Sequence, residues 1–168
     1  MLLGPVLDSM RASSILKNLH TLHIRMKQHS HNALYLARKL EGMGIPVYYP
    51  GLTAHPQHYL MKEIMNKDYG FGGMLAIDIE PPDKAKIFME TMQELGVGHL
   101  AVSLGYFKTL FSHPGRSTSS EIPAEFQHEI GLKEGLIRMS IGLDNDIKQT
   151  FDKIKKCLKL INFEPVMP

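Results

Sequence analysis

No proline interrupts residues 12–43, and the apolar side chains in this stretch repeat with a helical period. Ile15, Leu19, Leu22 and Met26 recur at spacings of three and four, and Ala33, Leu34, Ala37 and Leu40 continue the stripe. Lys17, Arg25, Lys27, Arg38 and Lys39 fall mostly off it. The pattern predicts one long helix or two joined helices, stopped near Gly42 and Gly44, where glycine accepts a left-handed backbone. Such a length exceeds the roughly 8–20 residues of an ordinary globular helix. The stretch is therefore expected to link a following domain to something else.

Beyond it, short strands alternate with helices. Pro46 to Tyr49 reads as a strand ended by the turn pair Pro50-Gly51, and a helix is expected from Pro56 to Asn66. Met74 to Ile79 is a second strand, followed by a helix from about Asp83 to Leu95 carrying Ala85, Phe88, Met89 and Met92 on one side. A third strand runs from His99 to about Ser103. Residues 104–121 lack periodicity, and irregular segments of that length are often functional. A short helix from Pro123 to Ile130, a strand from Leu136 to Ile141 and a helix from Asn145 to Ile161 complete the chain. The fold class expected is α+β: a two-layer domain with a small mixed or antiparallel sheet of about four strands, helices packed on it, and a long linker helix in front. The boundaries expected are 1–43 for the extension and linker helix and 44–168 for the α/β domain.

At 168 residues one full core is feasible, since a chain of this size buries about 68–70% of its unfolded surface. Hydrophobic residues at 43% and charged residues at 21% exclude wholesale disorder. A net charge of +2 argues against a nucleic-acid partner, which asks for a more basic, clustered face. No apolar run approaches the roughly 20 residues of a membrane span, so no membrane partner is expected. Met1 to Met10 contains Asp8 and no early basic residue, unlike a signal peptide. The single cysteine, Cys157, excludes an intrachain disulfide and suits a reducing, cytoplasmic setting.

Arg138 carries the most chemical information. It stands in Leu136-Ile137-Arg138-Met139-Ser140-Ile141, apolar enough to be buried on at least one face. Alternation places Leu136, Arg138 and Ser140 opposite Ile137, Met139 and Ile141. A guanidinium stays charged, and burying it unpaired costs several kcal/mol, so it requires an anion. That anion is either a protein carboxylate or a ligand carboxylate or phosphate gripped through a two-pronged fork. Ser103-Leu104-Gly105 ends the third strand as a turn, or presents hydroxyl and backbone donors to a ligand. Ser117-Thr118-Ser119-Ser120-Glu121 is expected to cap the helix near Pro123 rather than bind an anion. The pairs His29/His31 and His55/His58 lack the spacing of a zinc site, so no metal is expected. Cys157 beside the Phe151–Leu158 stripe reads as an inert core thiol. Gly70, Gly72 and Gly73 precede a strand, unlike a phosphate loop, and Lys153, Lys155, Lys156 and Lys159 read as a solvated helix face.

Taken together, these motifs resemble the C-terminal domain of the Cys/Met-metabolism family of pyridoxal-phosphate (PLP) enzymes, from about Gly4 onward. The series runs Thr21-Leu22-His23-Ile24-Arg25-Met26; Val47-Tyr48-Tyr49-Pro50-Gly51-Leu52 with His55-Pro56-Gln57-His58; Gly70-Phe71-Gly72-Gly73-Met74-Leu75; Ser103-Leu104-Gly105; Thr109-Leu110; His113-Pro114; and Gly135 to Gly142. Arg25 to His31 and Ser117 to Glu121 look most like plant-type methionine γ-lyases, although many members carry Arg-Gly-Leu-Lys where this chain has Lys17-Asn18-Leu19-His20. The resemblance implies a fold-type I C-terminal domain in which Arg138 binds the α-carboxylate of an amino-acid substrate and Ser103 and Leu104 line the same pocket. It also implies a PLP Schiff-base lysine after Ser/Ala-Thr, yet none of the 14 lysines here follows a threonine. No catalytic or cofactor-binding residue is therefore assigned. The chain is expected not to bind PLP alone and to be a truncated, inactive piece of a carbon–sulfur lyase. A homo-oligomer, or pairing with a full-length relative as a non-catalytic module, is the expected partnership. A cystathionine γ-synthase or γ-lyase type is the alternative within the family, and a small anion-binding domain built on Arg138 is the alternative outside it.

Overall fold

The computed structural model describes residues 6–163, less the side chains of Ala124 and His128. Gly4, where the family resemblance starts, and the first half of Met1 to Met10 lie outside the described residues.

The long amphipathic stretch is two helices, α1 (Ser9–Leu19) and α2 (Leu22–Glu41). Asp8 caps α1 by accepting from the Arg11 N–H at 3.0 Å. The break falls at His20–Thr21, and Arg25 bridges it, donating from Nη1 to the Asn18 carbonyl at 2.9 Å and the Thr21 hydroxyl at 2.8 Å. At the far end Gly42 remains right-handed, and Gly44, at φ 76°, takes the left-handed turn. The two helices differ in burial. No residue of α1 is buried, whereas α2 buries Ala33, Leu36, Ala37 and Leu40.

The sheet contains β1 (Val47–Tyr48), β2 (Met74–Asp78), β3 (Gly98–Leu100), β4 (Thr109–Ser112) and β5 (Leu136–Ser140), in the spatial order β1-β2-β5-β4-β3. It is mixed: β3 runs parallel to β4, and every other pair is antiparallel. The expected count of about four strands misses β4, which lies inside the segment read as irregular. All four of its residues are buried, so it shows no apolar–polar alternation to betray it. The third strand is also shorter than expected and ends at Leu100, leaving Ser103 and Leu104 in the following loop.

The remaining helices are α3 (His58–Ile64), α4 (Pro82–Glu94), α5 (Ala124–Glu129) and α6 (Ile147–Leu160). Helices α2, α4 and α6 cover one face of the sheet. Their stripes, including Phe88, Met92, Phe151 and Ile154, meet Leu75, Ile77, Phe111, Ile137 and Met139 in a single apolar cluster. Fully buried Asn32 locks α2 to the exit of β5, donating to the carbonyls of Gly142 at 3.0 Å and Asp144 at 2.9 Å. Tyr49 lies over Gly51, where a Cβ would approach its ring to 2.3 Å, and its hydroxyl donates to the Gly72 carbonyl at 2.9 Å. Among the described residues no helix is long and apolar enough to cross a membrane.

Two outcomes are expected. Burial pushes the Cys157 thiol up to about 11 from its ordinary 9.0 and raises the Tyr49 phenol as well. The folded chain thus holds protons that the unfolded chain releases first, so stability should be intact below pH 9.0 and fall as pH climbs through 11. Urea midpoints across that window check this, and Cys157→Ala should remove part of the decline. In addition, α1 exposes Ile15 (49%), Leu16 (60%) and Leu19 (51%) side by side as an uncovered stripe. Light scattering should show the mass of the chain rising with concentration, and the L16E/L19E variant should lower it; a constant monomer mass would contradict this.

Candidate carboxylate-binding face

The face of the sheet away from α2, α4 and α6 is built by the alternate residues. Register places Arg138 between Ala76 on β2 and Ser112 on β4. Ser140 lies between Met74 and Leu110, and Leu136 lies opposite Asp78. Tyr48 on β1 flanks Ala76 from the other side. Ile137 and Met139 point into the apolar cluster and are fully buried, as the alternation predicts, while Arg138 is half-buried on the opposite face.

A loop is fastened across this face. The Gly105 N–H donates to the Ser140 hydroxyl at 3.0 Å, and Gly105 adopts φ 70°, which a side chain would strain. Leu143 N–H donates to the Phe107 carbonyl at 2.8 Å, and Gly142 N–H donates to the Thr109 hydroxyl at 2.9 Å. A Cβ at Gly142 would stand 2.6 Å from both the Phe107 carbonyl and the Thr109 nitrogen, so this crossing requires glycine. Ser103 and Leu104 are carried on that loop and are exposed.

The electrostatics of the face centre on which cation meets which anion. Arg138 has no carboxylate oxygen within 4.0 Å and no side-chain hydrogen bond among the described residues. The internal ion pair that the sequence left open is therefore absent there. Asp78, the buried acid of this face, is taken by Lys133, whose Nζ lies 2.7 Å from Oδ2. Its hydrogen bond and charge, followed by the Tyr48 phenol, hold the Lys133 amine above its ordinary value. Two buried side-chain oxygens on this face have no partner among the described residues: Asp78 Oδ1 and the Ser112 hydroxyl. A groove of about 430 Å³ is lined by Met89, Val102, Phe111, Ser112 and Arg116 among others, and Arg138, Ser103 and Leu104 do not line it.

The other candidates have structural partners. The Ser117 hydroxyl donates to the His113 carbonyl at 2.6 Å and the Ser120 hydroxyl to the Ser117 carbonyl at 3.0 Å, so both close their own loop instead of capping α5. His29 Nδ1–H donates to the Ile141 carbonyl at 2.6 Å, and His58 pairs with the Pro50 carbonyl at 2.8 Å. Among the described residues no group of three His, Cys, Asp or Glu is arranged for a metal. The Lys133–Asp78 pair was not singled out from the sequence, although a lone Asp in the apolar run Met74–Ile79 carries the same signal as Arg138 in its own strand.

Lys133 does not fit the role of a PLP anchor. That cofactor requires a lysine amine for its Schiff base, and a nucleophilic amine needs a lowered proton affinity. Lys133, the lysine drawn onto this face, is paired and shifted the opposite way. Lys84 and Lys153 reach the carbonyls of Asn162 and Gly96, away from it.

A family model described as Cys/Met metabolism PLP-dependent enzyme matches residues 1–159. Methionine gamma-lyase of Arabidopsis thaliana is 41% identical over 157 residues, covering 93% of this chain and 36% of that protein. Cystathionine beta-lyase of Lactococcus lactis subsp. cremoris (strain MG1363) is 36% identical over 159 residues, covering 90% and 40%. Cystathionine gamma-lyase from Lactobacillus plantarum, solved with L-serine, superposes with a TM-score of 0.84 at 27% identity, covering 95% of this chain and 40% of that one. The chain thus spans well under half the length of these relatives. The geometry of the β5 face and these matches lead to one assignment: the chain belongs to the family of Cys/Met metabolism PLP-dependent enzymes.

Proposed function

We propose that this chain is the C-terminal, substrate-carboxylate-binding domain of a PLP-dependent carbon–sulfur lyase acting on a sulfur amino acid, of the methionine γ-lyase type. The observation that carries this reading is Arg138: a guanidinium on the central strand, half-buried, with no acid of its own among the described residues. A planar fork held by a sheet is suited to a carboxylate, which it grips through two parallel hydrogen bonds. Holding that carboxylate fixes the orientation of the Cα substituents, which is the work a positioning residue contributes to any reaction at Cα. The loop bearing Ser103 and Leu104, tied to Ser140 through Gly105, supplies the adjacent wall. The domain boundary is placed at residue 44, with α1 and α2 as the connection to further polypeptide, and the setting proposed is the cytoplasm. None of the 14 lysines follows a threonine, so in this reading the cofactor is held by polypeptide outside this chain, and the chain alone turns over no substrate.

The uncovered stripe of α1 favours a second reading in which the chain docks on a full-length relative as a non-catalytic module. In the first reading, calorimetry should show L-methionine binding to the purified chain and L-methioninol, which lacks the carboxylate, failing to bind. Arg138→Gln should weaken L-methionine by about tenfold or more, the scale of a lost hydrogen bond to a charged group. Equal heats for the wild type and the variant, or no heat from L-methionine at all, would overturn it.

A further inference from the structure

The absence of an internal acid on Arg138 is not explained by a lack of acids on its face. Asp78 stands on the neighbouring strand, on the same side of the sheet, one pair along from Arg138: Asp78 registers with Leu136, and Ala76 with Arg138. Diagonal neighbours across antiparallel strands are about 7–8 Å apart, within reach of a long side chain. The Asp78 carboxylate is buried and half satisfied, with Oδ2 on Lys133 and Oδ1 without a partner among the described residues. A half-satisfied buried carboxylate is strongly driven toward a second cation. Two features keep it from Arg138. Lys133 approaches from the turn before β5 and holds Oδ2 at 2.7 Å. Oδ1 rests over Gly135, where even a methyl group would come within 2.8 Å of it.

We propose that Lys133 is a positioning residue for the Arg138 site: by holding Asp78 it prevents an Asp78–Arg138 pair and leaves the guanidinium open to an external carboxylate. The inference rests on the carboxylate-binding reading of Arg138 and adds to it the device that sets the affinity. Lys133 touches no ligand in this scheme. Its own charge remains at the edge of the face, half-exposed, and its effect passes through Asp78.

The test reads the Arg138 Nε–H by NMR, without ligand, as its rate of exchange with solvent. In Lys133→Gln, the freed carboxylate should close on Arg138 and slow that exchange by about tenfold, the scale of one charge-assisted hydrogen bond. L-methionine affinity should fall by a similar factor. The conservative K133R should behave as wild type. The double variant K133Q/D78N removes both charges, leaves no buried unpaired ion to destabilise the fold, and should restore both fast exchange and L-methionine affinity. Unchanged exchange in K133Q, or a K133Q/D78N variant that remains as weak as K133Q, would overturn the proposal. The carboxylate-binding reading fails separately, by an R138Q variant that binds L-methionine as the wild type does.

Discussion

A guanidinium can be kept on the middle strand of a sheet without an internal counter-ion only if something prevents the nearest carboxylate from reaching it. In this fold the pairing of Lys133 with Asp78, at 2.7 Å, does so. The rest of the face follows from that allocation of charge. Arg138 has small neighbours, Ala76 and Ser112, which leave space around its fork. The loop that covers the strand is tied to Ser140 and crosses at Gly142, not at Arg138. Helices α2, α4 and α6 lie away from this side. They crowd onto the opposite face, where Ile137 and Met139 anchor β5 in the apolar cluster and thereby fix the direction in which Arg138 projects.

The sequence exposed the parts of this arrangement that have a local signature. Arg138 was legible because a charge within an apolar run must be paired or bound, and the period of two named its face. Helices α4 and α6 were legible because Ala85, Phe88 and Met92, and Phe151, Ile154 and Leu158, repeat at helical spacing. Strand β4 was not, because burial on both sides erases alternation and Thr109-Leu110-Phe111-Ser112 is too short to stand out by length. The sequence predicts a strand as far as about Ser103, with Leu104 just beyond it. The fold ends that strand at Leu100, and the exposed residues ride on a loop whose path is set by Gly105 and Ser140. The Lys133–Asp78 contact joins residues 55 apart in the chain, and no local pattern announces a pair created by strand register.

The two ends of the described chain differ in the same physical terms. Helix α6 turns its stripe onto the sheet and buries Cys157 among it, so its thiol is raised and inert. Helix α1 has a comparable stripe and buries none of it. A helix of eleven residues is marginal by itself, and most helical stability comes from packing an amphipathic face. This makes α1 the element whose order depends most on what lies against it, and it sets the Arg138 face, built on β2, β4 and β5, apart from the connecting helices.

The most direct measurement is a crystal structure of the chain grown with L-methionine. The account predicts the ligand carboxylate within hydrogen-bond distance of the Arg138 guanidinium, with Asp78 still on Lys133. A structure in which Arg138 is closed on Asp78, or in which the ligand's acid group is bound anywhere else, would contradict it.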